Sequence, residues 1–329
     1  MRQTLREKCE LLAENYTVIN KDFKWEFEIM TIVAASAYTN AGMKADPEKM
    51  KECREILKKK EGIFSDLRGI SELVILSKMA IDPDPEGFLD DVIAVFDKVR
   101  DGRVFTSSYM VLCALIICDQ HEVDRADEVI EKMKDIMEKM KKEHPLLTAS
   151  EDMPLATVMA MMPEDTEKLI SEMEECYDIL KKKFPFHNDA VQGLCQVLSL
   201  SGSGTEEKCA KAAKIFDALK KKGVKYGKST ELAALGALVD LDMEPEDIAK
   251  EIREVSDLLQ AHKGFGNFVL GKEYRAMFAA LLVAQEYSPQ VVPSDASAIG
   301  GALALIIAEE IVMLILIAST TAASSAARS

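Results

Sequence analysis

GVKYGKST, residues Gly223 to Thr230, decides between two folds. A phosphate-binding loop reads G-x-x-x-x-G-K-[ST], leaving a buried strand and opening a helix, and it would make this chain an α/β nucleotide-binding protein. This stretch is one residue short of that pattern. GNFVLGKE, Gly266 to Glu273, has the right spacing but carries Glu where the magnesium-binding hydroxyl belongs. The flanking sequence decides the matter. AKIFDALKKK precedes the first loop and ELAALGALV follows it, both helical in pattern, and no β-branched run lies nearby. Both loops are therefore expected to connect helices. Gly223 should end one helix in a left-handed conformation, and Ser229 or Thr230 should cap the next. No cofactor is expected.

Working outward, the helix before this loop belongs to a recurrent pattern. Phe88, Val92, Val95 and Val99 share one helical face. The same four-point stripe returns at Val129, Met133, Ile136 and Met140, at Leu169, Met173, Cys176 and Leu180, and at Ile248, Ile252, Val255 and Leu259. The spacing is about 40 residues, with one step of about twice that, the size of a helical-repeat unit. Start signals keep the same beat: DPEKM at Asp46, DPEGF at Asp84, VDRAD at Val123, PEDTEK at Pro163, GTEEK at Gly204 and PEDIAK at Pro245. Lys-rich turns end these helices. A short loop with a bulky residue follows, at Phe64, Phe105, Leu147, Phe186, Tyr226 and Phe265. A second helix then comes, apolar nearly all round, as in SSYMVLCALIIC and MPLATVMAMM, so it must be covered on several sides. The first pair, about 5–38, fits less strictly. The pattern predicts an all-α protein, an α-solenoid of about seven helix pairs with a period of about 40 residues. The alternative closes the pairs into an α/α ring, and contact between the first and last pairs is what distinguishes the two.

Composition narrows the function. The 329 residues are 48% apolar and 29% charged, with 56 acidic and 41 basic side chains and a net charge of -15. That balance repels nucleic acid, and 6% aromatic content provides no stacking platform for single strands. The seven cysteines are scattered with no C-x-x-C, and MRQTLREKCELL has charges where a secretion signal needs an apolar core. Both point to a reducing cytoplasm.

Candidate chemistry is sparse. His121, His144, His187 and His262 stand far apart, Cys118 with His121 being the tightest grouping, so no metal site is expected. Glu72, Glu151, Asp152, Asp189, Glu231 and Glu273 fall near the starts of the buried helices, where they suit the helix dipole or form an acidic ladder. The Lys turns, with Arg100, would line a basic edge. Arg68, Asp189, Gln192, Glu231, Glu273 and Arg275 are the candidate interaction residues. Arg68 sits in an inter-helix loop, and the other five would reach a central pocket if the array closes. Trp25, the single tryptophan, is expected to pack in the first pair.

Residues 298–319 follow the repeat domain (1–297) and read AIGGALALIIAEEIVMLILIAS, long enough to span a bilayer. Glu309 and Glu310 near the centre oppose insertion, so the segment is read as a closing helix. A membrane tail anchor is the alternative. Residues 320–329 are small, polar and expected to be disordered.

ENYTVINKDFKWEFEI, GIFSDLRG and HKGFGNFVLGKEYRAMFAALLVA carry a resemblance over most of the chain. They are similar to a bacterial family of helical proteins, the domain of unknown function numbered four thousand and three. That resemblance implies an all-helical fold and carries over no activity, substrate or site residue. The leading expectation is thus a cytoplasmic helical-repeat protein binding a protein or peptide partner. An enzyme with a polar site inside a closed ring is the alternative.

Overall fold

The amphipathic helices begin where the acid-plus-Pro and acid-plus-Thr signals stand, for a local reason. Asp46 accepts the amide N–H of Lys49 at 3.0 Å, Asp84 that of Gly87 at 3.1 Å, and Asp165 that of Lys168 at 3.0 Å. Each bond satisfies an N–H that the first helical turn leaves free. Pro47, Pro85 and Pro245 occupy first-turn positions, where no N–H is needed. Asp84→Ala should cost about 1 kcal/mol in urea unfolding. Ser229→Ala should stay within about 0.5 kcal/mol, because the Ser229 hydroxyl makes no capping bond. Equal losses from the two would detach helix initiation from these carboxylates.

The computed structural model describes residues 1–24, 26–63, 65–102 and 106–288. Among them the protein is all helical, with no strand. The helices are α1 (Gln3–Asp22), α2 (Glu28–Asn40), α3 (Pro47–Lys60), α4 (Glu72–Ile81), α5 (Pro85–Arg100), α6 (Ser108–Asp119), α7 (Ala126–Glu143), α8 (Met153–Ala160), α9 (Thr166–Leu180), α10 (Asn188–Leu198), α11 (Thr205–Lys221), α12 (Pro245–Gln260) and α13 (Lys272–Tyr287). A 3-10 helix of nine residues, Thr230–Leu238, lies between α11 and α12. Such runs rarely exceed four residues. Helix was expected there, but not this tighter form.

The helices alternate in kind. α5 buries one stripe, Leu89, Val92, Val95, Phe96 and Val99, whereas α6 buries every residue from Met110 to Cys118. α7 and α8, α9 and α10, and α12 and α13 repeat that contrast. Of the four predicted stripes only Phe88 is partly buried, its neighbour Leu89 taking the inner place. The expected left-handed turn is present: Gly223 has φ +75° just after α11. Both glycine-lysine loops run from helix to helix, with no strand to make a phosphate cradle.

Neighbour relations run in order. Among the amphipathic helices α1 packs on α3, α3 on α5, α5 on α7, α7 on α9, α9 on α11 and α11 on α12. The series then returns, because α12 and α13 both pack on α1. At this seam the Met1 amino group lies 3.0 Å from Glu251 and 2.8 Å from Glu254. Thr4 donates to Glu286, and the Tyr16 ring stands edge-on to Phe265 at 5.6 Å. Gly264, with φ +89°, makes this approach possible: a Cβ there would lie 2.2 Å from Tyr16 Cε1. The first and last pairs touch.

No helix among the described residues is long and apolar enough to cross a membrane. Residues 298–319 with Glu309 and Glu310, residues 320–329, Trp25, Phe64 and Phe105 lie outside the described residues. The basic turns are neutralised in part. Lys58, Lys60, Arg100, Lys181 and Lys183 each form an ion pair, with Glu55, Asp90, Asp97, Asp178 and Asp217 respectively. All seven cysteines are free and buried.

Candidate functional site

Connections leading from an amphipathic helix into a buried one meet one another through side chains. Arg54 pairs with Glu26 before α2 and with Glu72 at the start of α4, at 2.7 and 2.6 Å. Thr106, before α6, donates to Asp66, before α4. Lys225, before the 3-10 helix, pairs with Glu273 in the first turn of α13 at 2.6 Å. Tyr16, against Phe265, donates to Glu28 at the start of α2 at 3.4 Å. These links place the starts of the buried helices at one end of the array.

A cavity of about 390 Å³ opens at that end between α8, α10 and the 3-10 helix. That is the lower part of the range for small-ligand pockets. Leu147, Leu155, Ala190 and Ala233 form apolar wall, with Phe186 at the lip. Glu151, Asp152 and Asp189 supply carboxyl groups, and Gln196 an amide. His187 and Lys228 also border the cavity. Lys228 Nζ is drawn toward a neighbour, 5.7 Å over the Phe216 ring.

Asp152 is the perturbed group. It is buried just before α8 and accepts the Ala149 N–H at 2.9 Å and the Gln192 amide at 3.2 Å. Burial pushes its carboxyl up to about 6, with Glu151 and Asp189 adding to the rise and the two hydrogen bonds opposing it. Neither Glu151 nor Asp189 has a hydrogen-bond or ion-pair partner among the described residues. Gln192 and Gln196 lie one turn apart on α10, both buried, and the Oε1 of each accepts no hydrogen bond. Gln192 donates to Thr148 at 3.4 Å as well as to Asp152, and Gln196 donates to Met140 Sδ at 3.6 Å. The arrangement is an acidic pocket with one uncommitted carbonyl oxygen in its lining, that of Gln196. Among the described residues no group of His, Cys, Asp and Glu is disposed to hold a metal ion.

The six residues singled out from sequence divide. Asp189 lines this cavity and Gln192 backs it. Glu231 is buried beside it, accepting the Ser229 N–H at 3.1 Å and crowding against Gly227. Glu273 is held by Lys225. Arg275 turns away, donating to Phe265 O at 2.9 Å, to Gln260 at 3.1 Å and to Ser256 at 3.3 Å. Arg68 ties its own loop to the end of α3 through Glu61 O at 3.3 Å. Gln196 and Lys228 were not foreseen. The signal for Gln196 was there in AVQGLCQVL, two amides four residues apart on an otherwise apolar helix.

The same end carries exposed apolar side chains. Phe27, Ile63, Leu146, Phe186, Phe268 and Val269 all lie in connections leading into buried helices. Phe186 and Phe268 are fully exposed, at 97% and 105%. Solvated apolar groups gathered at one end cost free energy unless something covers them.

A family model described as "Protein of unknown function (DUF4003)" matches residues 15–316. No curated protein and no solved structure matches the chain.

Proposed function

The chain belongs to the DUF4003 family of proteins of unknown function, and from its geometry we propose a closed α/α ring that binds a protein or peptide partner. Contact of α12 and α13 with α1 supports the ring over an open solenoid of repeats. The observation that carries the binding reading is the set of exposed apolar residues in the connections at one end, Phe186 and Phe268 foremost. Aromatic side chains presented there have the chemistry of interface anchors. Seven free thiols suit a cytoplasmic setting.

The test compares two double variants in affinity capture with quantitative mass spectrometry. Phe186→Ser with Phe268→Ser should lose a specific retained protein by about tenfold or more, the loss of an interface anchor, without a change in unfolding midpoint. Met43→Ser with Ile179→Ser, away from the connections into buried helices, should retain it. Identical retention by both variants and the parent protein would refute docking at this end. An enzyme centred on the cavity is the second reading, favoured by one observation. A buried carboxyl poised near neutrality, Asp152, suits proton exchange.

A further inference from the structure

The cavity under the apolar lip has its own ligand chemistry. We infer that it takes a primary ammonium group on a short aliphatic stem, held by Asp152, Asp189 and the Gln196 carbonyl oxygen. This inference rests on the reading of this end as a binding surface and names the group that the surface admits.

Three observations converge. Glu151, Asp152 and Asp189 all line the cavity, and Glu151 and Asp189 have no hydrogen-bond or ion-pair partner among the described residues. Three carboxyl groups against one bordering ammonium, Lys228, leave an excess of negative charge that favours a further cation. The neighbouring Lys228 lies over Phe216, and His187 sits between the lip and the start of α10.

Second, Gln196 is 0% exposed, lines the cavity, and keeps a buried Oε1 that accepts nothing. An orphaned buried carbonyl costs free energy comparable to a lost hydrogen bond, and a ligand N–H removes that cost. Third, the described carboxylates are not arranged to chelate a metal ion. An ammonium group has three N–H donors and needs acceptors of mixed kind, two carboxylates and an amide carbonyl. Leu147, Leu155 and Ala233 would cover its methylene stem.

Two sources share this chemistry: a lysine side chain of the docked partner, or a free alkylamine. The experiment titrates n-butylammonium chloride at constant ionic strength and follows the Asp152 carboxyl and Gln196 amide resonances. Both should shift saturably, and 1-butanol should shift neither. Nα-acetyl-lysine amide and 1,5-diaminopentane are the two arms that separate the sources, the tighter ligand naming the one. Asp189→Asn, at an exposed position, should weaken binding about tenfold as a charged partner is lost. Asp152→Asn should do so while leaving the chain folded.

Equal responses to butylammonium and butanol, or equal binding by the parent and both Asn variants, overturn the inference. Phe268→Ser alone, at a residue outside the cavity lining, must leave the titration unchanged. If amine binding fails while the Phe186→Ser, Phe268→Ser variant still strips the partner, this inference falls alone; the reverse result removes only the docking surface.

Discussion

Gly264→Ala lowers the stability of the protein by about 2–6 kcal/mol, the sum of two costs. Its φ of +89° is a conformation that L side chains rarely adopt, which accounts for about 1–3 kcal/mol. The added methyl also meets the Tyr16 ring at 2.2–2.3 Å, and overpacking of that kind costs about 1–3 kcal/mol more. Gly271 supplies the matched control. Its φ is +82°, yet a Cβ there would meet nothing within 4 Å, so Gly271→Ala carries only the backbone cost. The difference between the two urea midpoints, converted with a common slope, isolates the contact between α1 and the loop before α13. Equal losses would show that Tyr16 does not sit on that loop in solution. Combining Gly264→Ala with Tyr16→Leu should recover part of the loss, since contacting residues are not additive.

Asp152→Asn has the opposite sign. The carboxyl titrates at about 6 in the folded chain against 3.8 for the unperturbed group. A group raised on folding stabilises the fold in its protonated form. That contribution is fully present below 3.8 and disappears as pH rises through about 6. At pH 7.5 the folded protein therefore holds a carboxylate that burial disfavours. The cost is about 3 kcal/mol, since each pH unit separating the two values is worth about 1.4 kcal/mol. Asparagine removes the charge and keeps an oxygen for the Ala149 N–H. Gln192 can then turn its uncommitted Oε1 toward the new amide. Asp152→Asn should thus raise stability by up to about 3 kcal/mol at pH 7.5 and change little at pH 4. Unfolding free energies across that range check it, and a loss of stability at pH 7.5 would refute the account. A gain in stability together with lost amine binding would mark the acid as present for its chemistry rather than for the fold.

What the sequence disclosed was local. The cap at Asp84, the turn at Gly223 and the stripe from Val129 to Met140 each depend on residues within a few turns, so spacing alone exposes them. The same spacing misplaced Phe88 by one position, because a helical face is wider than a single row. The return of α12 and α13 to α1 joins residues some 250 positions apart, and no periodicity encodes it. The site was half legible for a related reason. Asp189 and Gln192 were noticed as polar residues at a helix start, yet Arg275, noticed alongside them, spends its guanidinium on Phe265 O, Ser256 and Gln260. An arginine serving its own pair and a carboxylate facing a cavity look alike until backbone carbonyls are placed. Asp152 passed as one more acid near a helix N-terminus. Its burial, which shifts the proton, exists only in three dimensions.

The seam also bears on how the protein is made. Phe265 leaves the ribosome roughly 250 residues after Tyr16; at about 5–20 residues per second the interval is on the order of 10–50 s. Throughout that time the face of α1 destined for α12 and α13 has no native cover, while the intermediate hairpins can already stack. Closure is then a late event of high contact order, and until α12 and α13 emerge the nascent chain carries an unsatisfied apolar surface on α1, the kind of surface that chaperones engage.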